Sequence, residues 1–384
     1  MNKQRISAVF YKEWREIFRD RLFFSLAFIV PSALMLVFGF GINLDVEKLP
    51  FAVLDYDHST MSRDYSYRFI GSRYFDFKGQ VKDQQELDYL LSDSKVRMVL
   101  IIPEHFQKKL QQGQPTTAQI LIDGTFPFRA ATVKGYVIAI TAAVNAELLT
   151  EFVSKTQGLS FERAADLVRP VHLQLRYLYN QPVKSRWSVT AALMMLILIL
   201  SPPFLTALGV VREKETGSIY NIYASTITKG EFLIGKLTPY VIISSINIII
   251  LWLLVIGLFG TPFKGNPWLF YLASVIYVIC TTGIGLLISL MVQTQVAAMI
   301  MTAIITYMPS ILYSGLIIPI SSMDSSAWGF AHLFPTMYYT DISLGSFLKG
   351  ISIDVLWKDV IILILYAAIL WIAAYFLLNK RPKI

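Results

Sequence analysis

Six stretches of 19 to 25 residues contain no Asp, Glu, Lys, Arg or His: 22–42, 187–211, 237–259, 268–292, 296–320 and 360–378. Each is long enough to cross a hydrocarbon core of about 30 Å at about 1.5 Å per helical residue. Together they take 138 of the 384 residues and leave all 60 charges to the other 246. The remainder is about as charged as an ordinary soluble domain, which explains a chain-wide charged content of only 16%. The fold class is therefore a polytopic α-helical membrane protein. Disordered, fibrous and nucleic-acid-binding classes are set aside.

Charge also orients the chain. Residues 1–21, the segment 212–236 and the tail 379–384 alternate onto one side and hold thirteen Lys and Arg residues. The opposite short segments hold only Lys264, Lys349 and Lys358. Basic residues concentrate on the cytoplasmic side, so both termini are expected there. The first stretch is too long for a cleaved leader. Residues 4–20 show helical periodicity, with Ile6, Val9, Phe10, Trp14, Ile17 and Phe18 on one face. An amphipathic helix joined to a span is expected to lie in the inner interface.

Residues 43–186 are expected to form an extracytoplasmic mixed α/β domain. Strands are predicted at 49–57, 74–79, 97–102, 118–123 and 171–179. Helices are predicted after Ser59, over 83–91, from Pro103 at the first helical position, and over 127–155 with a break at Gly135. Residues 187–378 form the rest of the membrane domain, spans two to six. Within it, 327–348 holds His332, Pro335 and Asp341 and is expected to fold as short helices in the outer leaflet rather than as a seventh span.

The chemistry-bearing motifs are few. The four histidines are scattered and the one cysteine, Cys280, lies inside a span, so no metal set is expected. Gly230, Gly235 and Lys236 have phosphate-loop spacing, but Leu237 stands where Ser or Thr must follow. A nucleotide site is rejected, and Lys236 is read as an interfacial anchor. Spans without ionisable residues argue against a proton-coupled pump or an intramembrane hydrolase, so no catalytic residue is expected. Uncharged polar residues remain in the spans. Asn247, Thr302, Thr306 and Tyr307 either line a substrate path or bond helix to helix.

The one sizeable inner loop, 211–236, carries Arg212, Glu213, Lys214 and Glu215, then Gly217, then Ile219, Tyr220, Ile222 and Tyr223 on a short helix. Such a helix suits docking into a groove of a cytosolic partner; resting on the lipid is the plainer alternative.

Taken in order, the amphipathic start, FGFGINLD (38–45), LDYD (54–57), VLIIPEHFQKKLQQGQ (99–114), ILIDGT (120–125), REKETGSIYNIYASTITKGEFLIGKL (212–237) and PSILYSGLIIPISSM (309–323) resemble the permease subunits of type-2 ABC exporters. Within that class the chain is similar to bacterial multidrug-efflux permeases with a large domain between the first two spans. The departure is Ser225, where many relatives have Pro. The resemblance implies a multi-pass protein of the bacterial inner membrane without an ATPase site of its own, exporting drug-like or amphiphilic compounds. It implies a coupling helix at 217–224 seated on a separate ABC ATPase that binds ATP and Mg, with Glu213, Glu215, Gly217, Ile219, Tyr220, Ile222 and Tyr223 as coupling residues. It further implies a second permease, as homo- or heterodimer, and a periplasmic adaptor. The alternatives are export of a polysaccharide or lipid-linked glycan, and a membrane receptor or scaffold sensing through 43–186.

Overall fold

A computed structural model of the chain describes residues 2–171, 173–174, 176–316 and 318–378, the side chains of Asn221, Ile222 and Tyr223 excepted. The expected tail at 379–384 and part of the expected strand at 171–179 lie outside those residues. The chain divides into two compact units, Met1–Leu44 with Tyr177–Ile384, and Asp45–Arg176.

The first unit opens with α1 (Lys3–Arg19), capped by the Asn2 side chain on the Gln4 N–H. Asp20 ends α1 and caps the next helix through the Leu22 N–H at 2.8 Å. That helix comprises α2 (Arg21–Phe24), a wide π-turn at Ser25–Ile29, and α3 (Val30–Gly41). The wide turn comes just before Pro31, which has no N–H to give to the helical ladder.

The second unit is built on a four-stranded mixed sheet of order β2-β1-β3-β4. Its elements run β1 (Leu49–Asp55), α4 (Thr60–Ile70), β2 (Phe75–Gln80), α5 (Gln84–Ser92), β3 (Met98–Ile102), α6 (Phe106–Gln111), β4 (Gln119–Ile122), α7 (Pro127–Gln157) and α8 (Phe161–Val168). β1 pairs in parallel with β2 and β3, and β3 pairs antiparallel with β4. Both faces of β1 are buried, and period-two alternation divides its side chains between two cores. Phe51 and Val53 join Tyr65, Phe69, Met98, Phe106 and Val133 on one face. Ala52 and Leu54 meet Val81, Leu87, Val96 and Val99 on the other. Ser59 caps α4 through the Ser62 N–H at 3.1 Å, as its position implies.

Three local expectations are corrected. No helix starts at Pro103: His105 takes a left-handed φ of 58° and α6 begins at Phe106. Gly135 does not break α7, which runs unbroken for 31 residues; one glycine costs a helix only about 1 kcal/mol. The described residues of 171–179 form no strand, and Val171, Leu173, Tyr177 and Leu178 are exposed. Alternation without a pairing edge does not make a strand.

The chain returns to the first unit with α9 (Ser185–Glu215), α10 (Ile219–Ala224), α11 (Lys229–Gly257), α12 (Pro267–Met291), α13 (Gln295–Thr302), a π-turn at Ala303–Tyr307, and α14 (Met308–Tyr313). There follow α15 (Ser325–Ala331), α16 (Pro335–Leu344), a π-turn at Gly345–Lys349, and α17 (Ile353–Leu377). The π-turn at Ala303–Tyr307 again comes just before a proline, Pro309. The fifth charge-free stretch is helical only as far as Tyr313, short of the expected 296–320.

α9 is the central helix, packed by α3, α11, α12, α13 and α16. Its Pro202 and Pro203 lie inside the helix. Thr206 Oγ1 donates to the Pro202 carbonyl at 2.9 Å and Ser201 Oγ to the Leu26 carbonyl at 3.0 Å. α16 is embedded rather than superficial: Ser343 donates to the Ala191 carbonyl at 2.6 Å, and the Tyr339 ring stacks on Tyr277 with centroids 4.1 Å apart. The part from Pro335 to Leu348 is thus packed into the bundle, whereas Trp328, Phe330 and Leu333 before it are exposed.

Among the described residues, seven helical stretches are long and apolar enough to cross a membrane. Six contain or overlap the charge-free stretches; the seventh is α7, in the sheet unit.

Candidate functional site

Four consecutive residues at the end of α9, Arg212 to Glu215, point in four directions because a helix turns about 100° per residue. Each is bound to a different helix end. Arg212 pairs with Asp20 at 2.5 Å, at the junction of α1 and α2, and its guanidinium lies over the Phe23 ring. Glu213 turns inward to Lys12 and Lys236. Lys214 donates to the Ser289 and Val292 carbonyls at 2.5 and 3.2 Å, at the end of α12 where a cation is favoured. Glu215 accepts from the Gln295 N–H at 3.0 Å and from its side chain at 2.5 Å, at the start of α13 where an anion is favoured. One motif therefore ties down the ends of α1, α11, α12 and α13.

The inward branch is buried. Lys236 is 0% exposed, Glu13 1% and Glu213 3%. Lys236 Nζ donates to Glu13 Oε1 at 2.7 Å and to the Gly209 carbonyl at 3.0 Å, and lies 3.0 Å from Glu213 Oε2. The Tyr240 hydroxyl donates to Glu13 Oε2 at 2.7 Å, and Lys12 bonds Glu213. Two carboxylates face two ammonium groups, so the cluster is neutral. Glu13, Glu16 and Glu213 come close enough to share a cation, yet Lys12 and Lys236 already occupy that role. With every oxygen facing a cation or a hydroxyl, the cluster is an organising device rather than an acid–base pair.

Lys236 is not the interfacial anchor that its position suggested. Its partner Glu13 lies 223 residues away, beyond any local pattern. The glycine before it has its own purpose. A side chain on Gly235 would meet Val9 Cβ at 2.8 Å and the Ile6 carbonyl at 2.9 Å, so Gly235 lets α1 lie against α11. The buried stripe of α1 is Val9, Glu13 and Ile17; Phe18 is exposed, and Phe10 and Trp14 are half-buried. A glutamate between two apolar residues spaced by four was the readable signal of Glu13, and it was missed. A second was the T-x-x-E capping box at the start of α11. Thr228 and Glu231 cap each other, and Glu231 also accepts from the Asn2 N–H at 2.6 Å while Arg5 lies 3.8 Å away.

Asp20 closes the outer edge of the cluster. Burial alone would raise its carboxyl, but the Leu22 N–H and Arg212 outweigh that and hold it below the ordinary range.

The residues expected to couple to an ATPase divide by environment. Gly217 takes the left-handed φ of 73° that turns the chain into α10. Ile219 is buried within its own chain and Tyr220 is 56% exposed. The side chains of Ile222 and Tyr223 lie outside the described residues.

A family model described as "ABC-2 family transporter protein" matches residues 21–376. The chain belongs to that family. Relatives span nearly all of it. The "Probable multidrug ABC transporter permease YbhS" of Escherichia coli strain K12 is 29% identical over 98% of this chain and 97% of its own length. The "Probable multidrug ABC transporter permease YbhR" of the same strain is 26% identical over 98% and 99%. The "Inner membrane transport permease YhhJ", also of that strain, is 23% identical over 91% and 90%. The chain is thus a multi-pass membrane protein of an ABC transporter family, and the matched region runs through the Arg212–Glu215 junction and α10.

The four span residues read as a substrate path sit in two seams. Asn247 on α11 donates to the Ala27 carbonyl on the π-turn at Ser25–Ile29. Thr302, Thr306 and Tyr307 follow one another on α13 and its π-turn, which pack against α9. Thr306 Oγ1 donates to the Thr302 carbonyl at 2.7 Å, and Tyr307 is half-buried against the main core. The structure does not bring Asn247 into the Thr302 group. Three buried polar atoms in these seams, Ser244 Oγ, Asn247 Oδ1 and Thr302 Oγ1, have no hydrogen-bond partner among the described residues.

Proposed function

We propose that this chain is the permease subunit of an ATP-driven exporter of drug-like or amphiphilic compounds, powered by a separate ATPase subunit that binds ATP and Mg. The observation that carries the reading is the Arg212–Glu215 junction with α10 mounted directly after it. A push on α10 would reach α1, α11, α12 and α13 together, because one motif holds all four ends. The two E. coli relatives named as multidrug permeases supply the substrate class.

In this reading six helices cross the inner membrane, both termini are cytoplasmic, and the sheet unit lies outside, where it would meet an adaptor. Support for six rather than seven comes from α7. It carries Arg129, Lys134, Glu147, Glu151 and Lys155, and it gives Val133 to the core beneath the sheet. The working unit is a pair of permeases, homo- or heterodimeric. Residues 217–224 are the coupling helix, with Tyr220 as the anchor facing the ATPase and Ile219 holding the helix to its own chain.

The test is Tyr220→Asp. A carboxylate forced into a docking groove costs several kcal/mol when unpaired, so ATPase co-purification or export should fall at least about tenfold. Membrane insertion should stay normal. Wild-type levels of both would end the coupling assignment.

The path reading for Asn247, Thr302, Thr306 and Tyr307 draws support from the three unpartnered buried atoms, since buried polar groups are ordinarily paired. Asn247→Leu and Thr302→Val should then change which compounds are exported while leaving expression intact. A fall in thermal stability with unchanged preference would show that they only join helices.

A further inference from the structure

α7 carries apolar residues on two sides, and its own unit covers only one of them. Val133, Val137, Ile140 and Val144 pack into the core beneath the sheet. On the outward side Gly135, Ile138, Ala142, Asn145, Leu149 and Phe152 are all exposed. Ile138 is 56% exposed, Leu149 50% and Phe152 58%. No described atom lies within 4 Å of a Cβ placed on Gly135. From Gly135 to Ala146 the helix has no charged residue at all, whereas the solvent face of a helix is ordinarily charged or polar.

The six outward residues recur at alternating intervals of three and four. That is the 3.5-residue repeat of a seam between two helices that wind around each other. Their sizes set the partner and its direction. When α7 runs antiparallel to an identical helix, one register makes Gly135 face Phe152, Ile138 face Leu149, and Ala142 face Asn145. Every seam position then meets a seam position, and the largest side chain lies over the residue that has none, as interdigitated packing requires. A parallel pairing would set Phe152 on Phe152 and Gly135 on Gly135, crowding one end and emptying the other. In the antiparallel register the two Asn145 side chains flank the two-fold axis, and a polar residue at a seam position fixes register. At the rim, Lys155 comes nearest to Lys134 of the second copy, and it already has Glu151 as counter-ion at 2.6 Å. Matching itself in one register is the requirement of an isologous two-fold interface. Neither a foreign helix nor a lipid surface imposes it.

We propose that α7 pairs antiparallel with α7 of a second copy of this chain, the Gly135–Phe152 stripe forming a two-helix seam between sheet units. The proposal rests on the reading of the working unit as a pair of permeases and makes that pair a homodimer.

The test uses full-length chains with two different tags, co-expressed in bacterial membranes. Ile138→Cys on one and Leu149→Cys on the other should form a mixed disulfide on oxidation with copper phenanthroline. The native Cys280 is buried, and the unsubstituted chain is the blank. Expressed alone, neither variant should cross-link with itself. Ile138 of the two copies would stand eleven residues apart along the seam, roughly 16 Å, which a disulfide cannot span. Ala142 is exposed in the single chain, so Ala142→Arg should leave folding intact. Placed in both chains, it buries an unpaired charge in the seam and should lower the mixed cross-link at least about tenfold. A mixed pair that does not cross-link would overturn the proposal, and a foreign helix or lipid on this face gives that result. Self-cross-linking as ready as mixed cross-linking, or an unchanged yield with Ala142→Arg, would overturn it as well. Light scattering on the purified chain separates the two readings. A dimer without the cross-link removes only the α7 seam and leaves the pair of permeases standing, whereas a monomer removes the homodimer with it.

Discussion

Lys236→Met should destabilise the protein by about 3–5 kcal/mol, the usual consequence of removing one partner from a buried ion pair. Glu13 and Glu213 would both lose their shared cation, leaving Glu13 with the Tyr240 hydroxyl and the Lys12 ammonium 3.7 Å away, and Glu213 with Lys12 alone. The apparent melting temperature in detergent should fall on the order of 5–10 °C. Adding Glu13→Gln to the same chain should recover most of the loss, because the amide still accepts from Tyr240 and Glu213 still has Lys12. A lysine merely anchored at the interface would change stability by under about 0.5 kcal/mol. A wild-type melting curve for Lys236→Met would mean that the cluster does not hold α1 to α9 and α11.

Gly285→Val should be at least as damaging. A Cβ at Gly285 on α12 would fall onto the backbone of Pro203, 2.6 Å from its Cα. Backbone atoms in mid-helix cannot rotate away, so α9 and α12 would have to separate. That is overpacking with no soft neighbour, and it should cost about 3 kcal/mol or more. The expected readout is loss of folded, monodisperse permease after extraction. Gly257→Ala is the matched control. Nothing lies within 4 Å of a Cβ there, and alanine is favoured over glycine in a helix by roughly 0.5–1 kcal/mol. Equal yields of the two variants would refute the close approach of α9 and α12.

Both predictions concern places where backbones or charges distant in sequence meet, and neither was legible in the chain. The long apolar helices were, because the exclusion of charge from hydrocarbon acts on each residue separately. The period-two strands were legible for a similar reason. Phe51 and Val53 divide from Ala52 and Leu54 by a geometry internal to the strand, and Ser59 caps α4 through a contact three residues long. The residues of 171–179 alternate as well as those of β1, yet the described ones make no strand; pairing is a property of two segments, and the pattern of one cannot supply it.

The junction shows the same division inside a single motif. Residues 212–217 marked a charged loop, and the glycine its turn, from local composition alone. The roles of the individual side chains were not readable. Glu213, expected to face a partner, is buried against Lys12 and Lys236, and Ile219 is packed into its own chain. Lys236 resembled an anchor because it stands at the edge of a charge-free stretch, and only α1 lying on Gly235 brings Glu13 to it. Local pattern was enough to tell which segments are too apolar for water, which alternate, and that Ser59 starts α4. The tertiary structure alone decided which charges neutralise one another and which glycines touch backbone, because those depend on distances between residues that share no stretch of chain.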